Sequence, residues 1–408
     1  METQLAAAPP HLSDDICAEI LVRLPVKSVL RFRAVCKAWR DITTRPLFLA
    51  AHARRQPAKV VLYTYLSTRS AQHGYAVGIA LDVLPVSGET AAGQRRRLIR
   101  YPRSVLLSSM DPLLLDSCNG VLLFRTDAAG IYFLCNPVTR QWAELPKLIT
   151  DDDESYGLGR RRTANVREYA FYFHQQSGEY RLLCGRVTSA GRAWCILSTG
   201  AAEPRHVDTH AADDDDDLEP DAPSEATPVA LHDSMHWPPR RPQDSSSSST
   251  TTEMVAFDVH SEKFHLMAGP STATRALMKL FVMHGLLVAA NFGAKKHVDL
   301  WFLVDYGAAG RWERRHQVPM PWQSIPHYSL SLWSTAAACD DQGNIMLGSH
   351  CGLLVYNARK KTARAVRSVA TPRNNVLVSR HVFRESLVEH PNFKRSSAAD
   401  LPFIHFWC

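Results

Sequence analysis

Little in this 408-residue chain suits a bilayer, an oxidising compartment or a known type of catalytic centre. Its longest apolar stretch lies near Leu280–Ala290 and is interrupted by His284 and Gly285, far short of the ~18 residues a membrane span needs. The opening METQLAAAPPHL has neither a basic start nor a long apolar run, so no secretory signal is expected. The nine cysteines (17, 36, 118, 135, 184, 195, 339, 351 and 408) include no C-x-x-C pair. An odd, scattered set is no disulfide framework, and the expectation is reduced thiols in cytoplasm or nucleus. G-x-S-x-G, H-E-x-x-H, a P-loop and G-x-G-x-x-G are all missing, and "GLGRRR" (157–162) has no third glycine. His206/His210 and His232/His236 have metal-ligand spacing on a helix, yet both pairs fall where composition opposes order, so neither metal nor other cofactor is expected.

Charge is not lacking, but it is uneven. Residues 203–225 hold ten Asp/Glu against one Arg, while the whole chain carries a formal +7. Arg95–Arg97 with Arg100 and Arg103, and Arg160–Arg162 with Arg167, form basic runs. They read first as exposed loop tips, and second as a grip on an acidic or phosphorylated partner. No aromatic-and-basic stacking motif accompanies them, so nucleic acid is not an expected partner.

At 408 residues and 45% apolar, the chain has room for two or three units and at least one large core. Residues 1–10 read as a tail. Ser13 can cap a helix with Asp14 and Asp15 in its first turn. Ile16, Cys17, Ile20, Leu21 and Leu24 recur at helical spacing until Pro25 ends the run. Short helical stretches follow around Val29–Phe32 and Val35–Ile42, and a fourth starts at Pro46 with Leu47, Phe48 and Ala51 on one side.

After Pro57 the period changes, and KVVLYTY (59–65) opens an all-β pattern. One unit recurs: an apolar strand, Asn or Asp, a few turn residues, a second strand. It is clearest in YFLCNPVTRQWAELP (132–146), and returns in FYFHQQSGEYRLL (171–183), MVAFDVHSEKFHLM (254–267), WFLVDYGAAGRWERR (301–315) and GLLVYNARKKTARAV (352–366). A hairpin cannot bury its own face, but hairpins stacked radially can, with few exposed edges. A β-propeller-like domain is expected, of six or seven blades at ~40–45 residues each. Residues 203–253, with Asp213–Asp217, several prolines and SSSSSTTT (245–252), read as a disordered insertion.

The opening stretch resembles an F-box: EILVRLP (19–25), SVLRF (28–32) and VCKAWR (35–40) match that family's pattern, with Ser13 where Pro is common. DSCNGVLLF (116–124), the later hairpins and RESLVEH (384–390) resemble the F-box-associated domain of plant F-box proteins. The resemblance implies a small all-α F-box over 11–55 followed by a larger all-β domain, 56–202 and 254–408, split by the 203–253 insertion. It implies a non-catalytic receptor subunit of a Skp–cullin–F-box ubiquitin ligase. The F-box docks on a Skp-type adaptor, and through it on cullin, while the β domain holds a protein substrate. Neither nucleic acid nor membrane is an implied partner. The adaptor-facing and supporting set is then Leu12, Ile16, Ile20, Leu24, Pro25, Leu30, Val35 and Trp39, with the alternative that Ile20, Val35 and Trp39 belong to the internal core. Lys27, Arg31 and Lys37 would steer the approach to an acidic adaptor, or are simply solvated. The substrate-binding residues are not legible.

A unit of ~40 residues buries little surface alone, and the surplus of apolar side chains in 11–52 calls for a partner. The weighed alternatives are an F-box protein acting as a plain binding scaffold and a propeller enzyme; the sequence lacks the clustered Cys/Tyr/His copper signature of the latter.

Overall fold

The computed structural model describes residues 12–70, 74–87, 95–103, 112–126, 131–148, 166–188, 191–208, 227–239, 253–271, 278–293, 296–307, 310–320, 335–349, 352–366, 376–395 and 405–406. Four helices come first: α1 (Asp14–Leu21), α2 (Val26–Phe32), α3 (Lys37–Thr44) and α4 (Pro46–Arg55). The Ser13 hydroxyl accepts from Ile16 N at the start of α1, beside Asp14 and Asp15, and Pro46 occupies the first turn of α4. Both are positions where the residue meets a free helix end. Leu21, Val22, Val26, Val29, Ile42 and Phe48 are buried between these helices.

Six antiparallel sheets follow, arranged as the blades of a β-propeller. Blade 1 takes β1 (Lys59–Ser70), β2 (Gly74–Pro85) and β3 (Arg96–Arg103). Blade 2 takes β4 (Pro112–Cys118), β5 (Val121–Thr126), β6 (Ile131–Asn136) and β7 (Gln141–Glu144). Blade 3 is β8 (Val166–His174), β9 (Glu179–Thr188), β10 (Gly191–Ser198) and β11 (Arg205–Val207). Blade 4 is β12 (Val229–Leu231), β13 (Ser234–His236), β14 (Glu253–Asp258) and β15 (Lys263–Ala268). Blade 5 is β16 (Met278–Met283), β17 (Leu286–Asn291), β18 (His297–Asp305) and β19 (Arg311–Pro319). Blade 6 is β20 (Thr335–Cys339), β21 (Asn344–Ser349), β22 (Gly352–Asn357) and β23 (Thr362–Val366).

The C-terminal stretch closes the ring. β24 (Val376–Phe383) pairs with β1 as the innermost strand of blade 1, next to the inner strands β20 and β4 of the flanking blades. The chain then runs outward. β25 (Lys394–Arg395) adds a fifth strand to blade 2 on β7, and β26 (His405–Phe406) adds one to blade 1 on β3. The first blade therefore draws on both ends of the β region, which removes the open edge that a ring of separate blades would leave.

The recurring sequence unit has a common physical basis. In blades 2, 4 and 6 it is the outermost hairpin, and a side-chain carbonyl or carboxylate opens its turn. Asn136 Oδ1 accepts from Val138 N at 2.9 Å, Asp258 Oδ1 from Ser261 N at 2.6 Å, and Asn357 Oδ1 from Lys360 N at 2.8 Å. Each turn ends on a residue with positive φ: Arg140 at 57°, Glu262 at 56° and Lys361 at 53°. WFLVDYGAAGRWERR is the outer hairpin of blade 5, whereas FYFHQQSGEYRLL is the inner hairpin β8–β9 of blade 3. There His174 Nδ1 takes the part of the Asn side chain, accepting from Ser177 N at 3.3 Å. The side-chain-to-backbone bond is what the segments of blades 2, 3, 4 and 6 share.

The insertion is shorter than its composition indicates. Arg205–Val207 complete blade 3, and Val229–Leu231 and Ser234–His236 begin blade 4, with Trp237 fully buried in the seam between them. The correction has a plain cause: polar residues flank strands of only three residues, too short for a period to show. Residues 209–226 and 240–252, which carry the Asp run and the Ser/Thr run, lie outside the described residues, as do Met1–His11 and Arg160–Arg162.

The first basic run is also reassigned. Arg95 and Arg97 reach Asp82 from blade 1's own sheet at 2.6 and 3.1 Å, and Thr64 Oγ1 donates to the same carboxylate at 2.8 Å. Arg96 pairs with Glu385 at 2.8 Å. These are structural ion pairs, not exposed loop tips or a partner's grip. Burial pulls the Asp82 pKa upward, but the bonds from Thr64, Arg95 and Arg97 outweigh it and hold the group below the ordinary carboxylate value. A depressed folded-state pKa stabilises the protein above the unfolded value of ~3.9, and this is lost as pH falls through the folded value. The melting temperature of wild type should therefore fall more steeply below about pH 4 than that of Asp82→Asn, and thermal melts at several pH values measure the difference.

A second stability prediction concerns the Asn119–Gly120 turn between β4 and β5. Gly120 has φ +82°, and a Cβ built there would collide with Ser386 and lie 2.9 Å from its backbone nitrogen. Gly120→Ala should cost at least about 2 kcal/mol, read from the denaturant midpoint.

Candidate docking surface

The four helices rest on the propeller through a small shared core. Val138, in the β6–β7 turn, and Leu387, in the segment after β24, join Leu21, Val22, Val26, Val29, Ile42 and Phe48 in one buried cluster. Arg384 Nη1 donates to the Gln56 carbonyl at 2.8 Å. Asn136 Nδ2 donates to the carbonyls of Ser386 and Val388 at 3.0 and 3.3 Å, holding the segment under blade 2. Glu385 meets Lys59 at 3.1 Å as well as Arg96. His52 is buried behind α4, its Nε2 lying 2.9 Å from the Leu24 carbonyl and 3.1 Å from Gln56 Nε2. Burial chiefly lowers the His52 pKa, the Leu24 carbonyl partly opposing it. A neutral imidazole thus ties α4 to the end of α1.

The opposite side of the helical unit is apolar and uncovered. Leu12 is 54% exposed, Ile16 49% and Ile20 50%. They recur four residues apart and therefore share one face of α1 and its cap. Leu30 and Val35 are exposed as well, as is Leu47 on α4 at 87%. Leu47 is turned outward although its apolar neighbour Phe48 faces the core. The sequence names both without distinguishing them, because adjacent helical residues differ by ~100° and only the packing says which one turns inward.

The other proposed residues are placed differently. Leu24 and Trp39 are half-buried against the helical core, and Trp39 meets Phe32 edge-on at 5.1 Å between ring centroids. Pro25 is exposed and opens α2. Of the three residues with an alternative internal reading, Trp39 supports the core while Ile20 and Val35 do not. Ile16 and Ile20 separate from Cys17, Ala18 and Leu21, so α1 is apolar on two sides, one packed and one free. Lys27, Arg31 and Lys37 are all exposed beside this surface's elements. The ion pairs Arg23–Glu19 and Arg45–Asp14 are exposed too, and contribute little.

Among the described residues no group of three or more His, Cys, Asp or Glu is placed to hold a metal ion, and no helix is long and apolar enough to cross a membrane. The His232/His236 pair falls on the β12–β13 hairpin. His232 is exposed, while His236 is buried with Nε2 2.5 Å from the Tyr306 hydroxyl, and burial lowers its pKa to about 4. His206 is exposed on β11, and His210 lies outside the described residues.

One face of the helical unit is thus packed on a six-blade β-propeller, and Leu12, Ile16 and Ile20 leave another apolar and exposed. Residues 10–50 match the F-box domain family, so the chain carries an F-box domain followed by a propeller. The chain is also similar to curated F-box proteins. The F-box/kelch-repeat protein At3g23880 of Arabidopsis thaliana is 22% identical over 86% of this chain and 88% of its own length. F-box protein At5g49610 of the same plant is 30% identical over 36% of this chain and 35% of its own. Among solved structures, YCF48 from Cyanidioschyzon merolae aligns with a TM-score of 0.38 and 10% identity over 80% of this chain and 97% of that one.

Proposed function

We propose that this protein is the substrate receptor of a Skp–cullin–F-box ubiquitin ligase. The helical unit docks on a Skp-type adaptor, and through it on cullin, and the propeller, in this reading an F-box-associated domain, holds a target protein for ubiquitination. The observation that carries the proposal is the exposed apolar face of Leu12, Ile16 and Ile20, on a unit whose other face is already packed. Exposed apolar surface grouped on one element marks an interaction site, and covering the exposed half of each such side chain contributes about 0.8–1.5 kcal/mol, half of what full burial supplies. The F-box match over residues 10–50 supplies the partner class. The chain itself performs no ubiquitin chemistry, and it works in cytoplasm or nucleus.

The shared core at Val138 and Leu387 gives the reading a mechanical sense. A receptor must hold its substrate at a set position relative to the ligase, and a packed junction fixes the propeller on the F-box more firmly than a linker would. Lys27, Arg31 and Lys37 steer the approach to an acidic adaptor. Substituting all three by Gln should slow association several-fold at low salt and leave it nearly unchanged at ~1 M salt, measured by stopped flow. The function itself is tested by reconstitution of the full chain with adaptor, cullin and RING subunit. The proposal expects a single assembly and, in cells, longer half-lives for proteins captured by the propeller once the F-box is mutated. An intact protein that enters no such assembly overturns it.

A further inference from the structure

An exposed basic surface lies where blades 5 and 6 of the propeller meet. The register of β18 and β19 shifts between Leu300–His316 and Trp301–Arg314, which leaves Arg315 as the extra residue of a β-bulge. A bulge turns two successive side chains to the same side, and here Arg315 and His316 both meet the Phe302 ring. Arg315 lies over the Phe302 ring at 5.2 Å, and His316 Nδ1 is 3.2 Å from the Tyr356 hydroxyl of blade 6. The His316 ring packs against Phe302 at 5.8 Å and Tyr356 at 5.6 Å. Burial lowers the His316 pKa, and the charges of Lys361 and Arg315 lower it further, so a cation from each blade bears on one imidazole.

Around this point the cations outnumber their partners. Arg311 and Arg315 share the single carboxylate of Glu313 at 3.5 and 3.4 Å. Arg359, Lys360 and Lys361, in the β22–β23 turn, are exposed and have no ion-pair partner among the described residues. The turn's own construction aims them outward, since Lys360 N is taken by Asn357 Oδ1 and Lys361 has φ 53°.

β19 also offers backbone. It has nine residues, against eight, four, three, six and five for the last strands β3, β7, β11, β15 and β23. Among the described residues nothing pairs with its outer side, whereas β3 and β7 each accept a further short strand. The propeller is thus already built to take a fifth strand at a blade's rim. A long uncovered edge gives main-chain hydrogen bonds to an extended segment, and its side chains select that segment's charge.

We propose that the seam between blades 5 and 6 binds an extended, carboxylate-rich segment of a partner protein, which lies along β19 with its acidic side chains over Arg311, Arg315 and Lys361. The site stands whether or not the F-box engages an adaptor. The competing role for these charges is protective: arginine and lysine on an edge strand keep other strands away, and that role predicts no binding at all.

Fluorescence anisotropy with the full chain separates the two. The probe is a labelled peptide of alternating Glu and Thr, a strand's two-residue period, at about 50 mM salt, where screening is weak. A Lys/Thr peptide and a uridine-rich RNA oligomer are the comparisons. Saturable binding of the Glu/Thr peptide alone is expected, at least about tenfold weaker in R315E/K361E. R54E/R55E, which makes the same change in net charge on exposed residues of α4, should stay within about twofold. Melting curves confirm folding, and R315Q/K361Q replaces the reversal variant if that one does not fold. Slowed hydrogen exchange at 311–317 on peptide addition is the second expected sign. No binding, equal loss in both variants, or preference for the RNA overturns the proposal.

Discussion

Ile16→Glu with Ile20→Glu should leave the propeller and the melting temperature essentially unchanged and weaken binding to a Skp-type adaptor by at least about a hundredfold. Both side chains are half-exposed on the outer face of α1, so replacing them removes almost nothing from the core beneath, which rests on Leu21, Val22 and Val26. Against a partner the arithmetic is different. Each Ile, already half covered, forfeits about half of the 1.5–3 kcal/mol that full burial supplies, and each Glu adds the cost of bringing a carboxylate to an apolar contact. A hundredfold corresponds to about 2.7 kcal/mol, which the two losses and the two carboxylates together reach. The contrasting substitution is Leu21→Ala on the same helix. Leu21 is 2% exposed, and its truncation should cost about 2–5 kcal/mol of stability. Isothermal titration with adaptor and thermal melts on the same samples separate the two effects.

Glu385→Ala carries the second large effect. The carboxylate is almost fully enclosed and lies 3.1 Å from the buried Lys59 ammonium and 2.8 Å from Arg96. Burial lowers the Lys59 pKa, and Glu385 is the group that opposes the shift. Removing it leaves the ammonium buried without this counter-charge, a change that costs about 3–5 kcal/mol in comparable sites. Arg96 is more exposed and adds less. The loss should also reach beyond stability. Glu385 lies between Arg384, which holds the Gln56 carbonyl, and Leu387, which completes the helical core. The variant should therefore loosen the helices from the propeller. Denaturant melts report the energy, and proteolysis near residues 56–58 reports the loosening. Glu385→Gln, which keeps the shape but not the charge, should fall between wild type and alanine.

The F-box was legible because its signals are local. Ser13, Pro25 and Pro46 mark helix ends by their own chemistry, and each acts where the sequence places it. The outer hairpins were legible for the same reason, since Asn136, Asp258 and Asn357 bond to backbone two or three residues away. Ring closure was not. It depends on β24 pairing with β1 across almost the whole chain, and no periodicity within either strand announces that partner. The blade count, left at six or seven, is settled at six by this closure and by the short strands β11, β12 and β13, drawn from polar sequence. The first basic run misled because charge counts are blind to geometry. Arg95–Arg97 are absorbed by Asp82 and Glu385, whereas the exposed cations of blades 5 and 6 are spread over two hairpins and form no run. In the candidate site, apolar character was visible at Ile16, Cys17, Ile20 and Leu21 of α1, but the division into a packed face and a free face follows from the neighbours that α1 meets.

Hydrogen–deuterium exchange of the full chain, with and without a plant Skp-type adaptor, reaches the central claim most directly: the helical unit keeps one apolar face for a second polypeptide. New protection should be confined to 12–20, 28–35 and the start of α4 around Leu47, with the propeller strands and the 384–393 segment unchanged. An adaptor that binds without protecting α1, or that protects the blades instead, would contradict the docking face described for Leu12, Ile16 and Ile20.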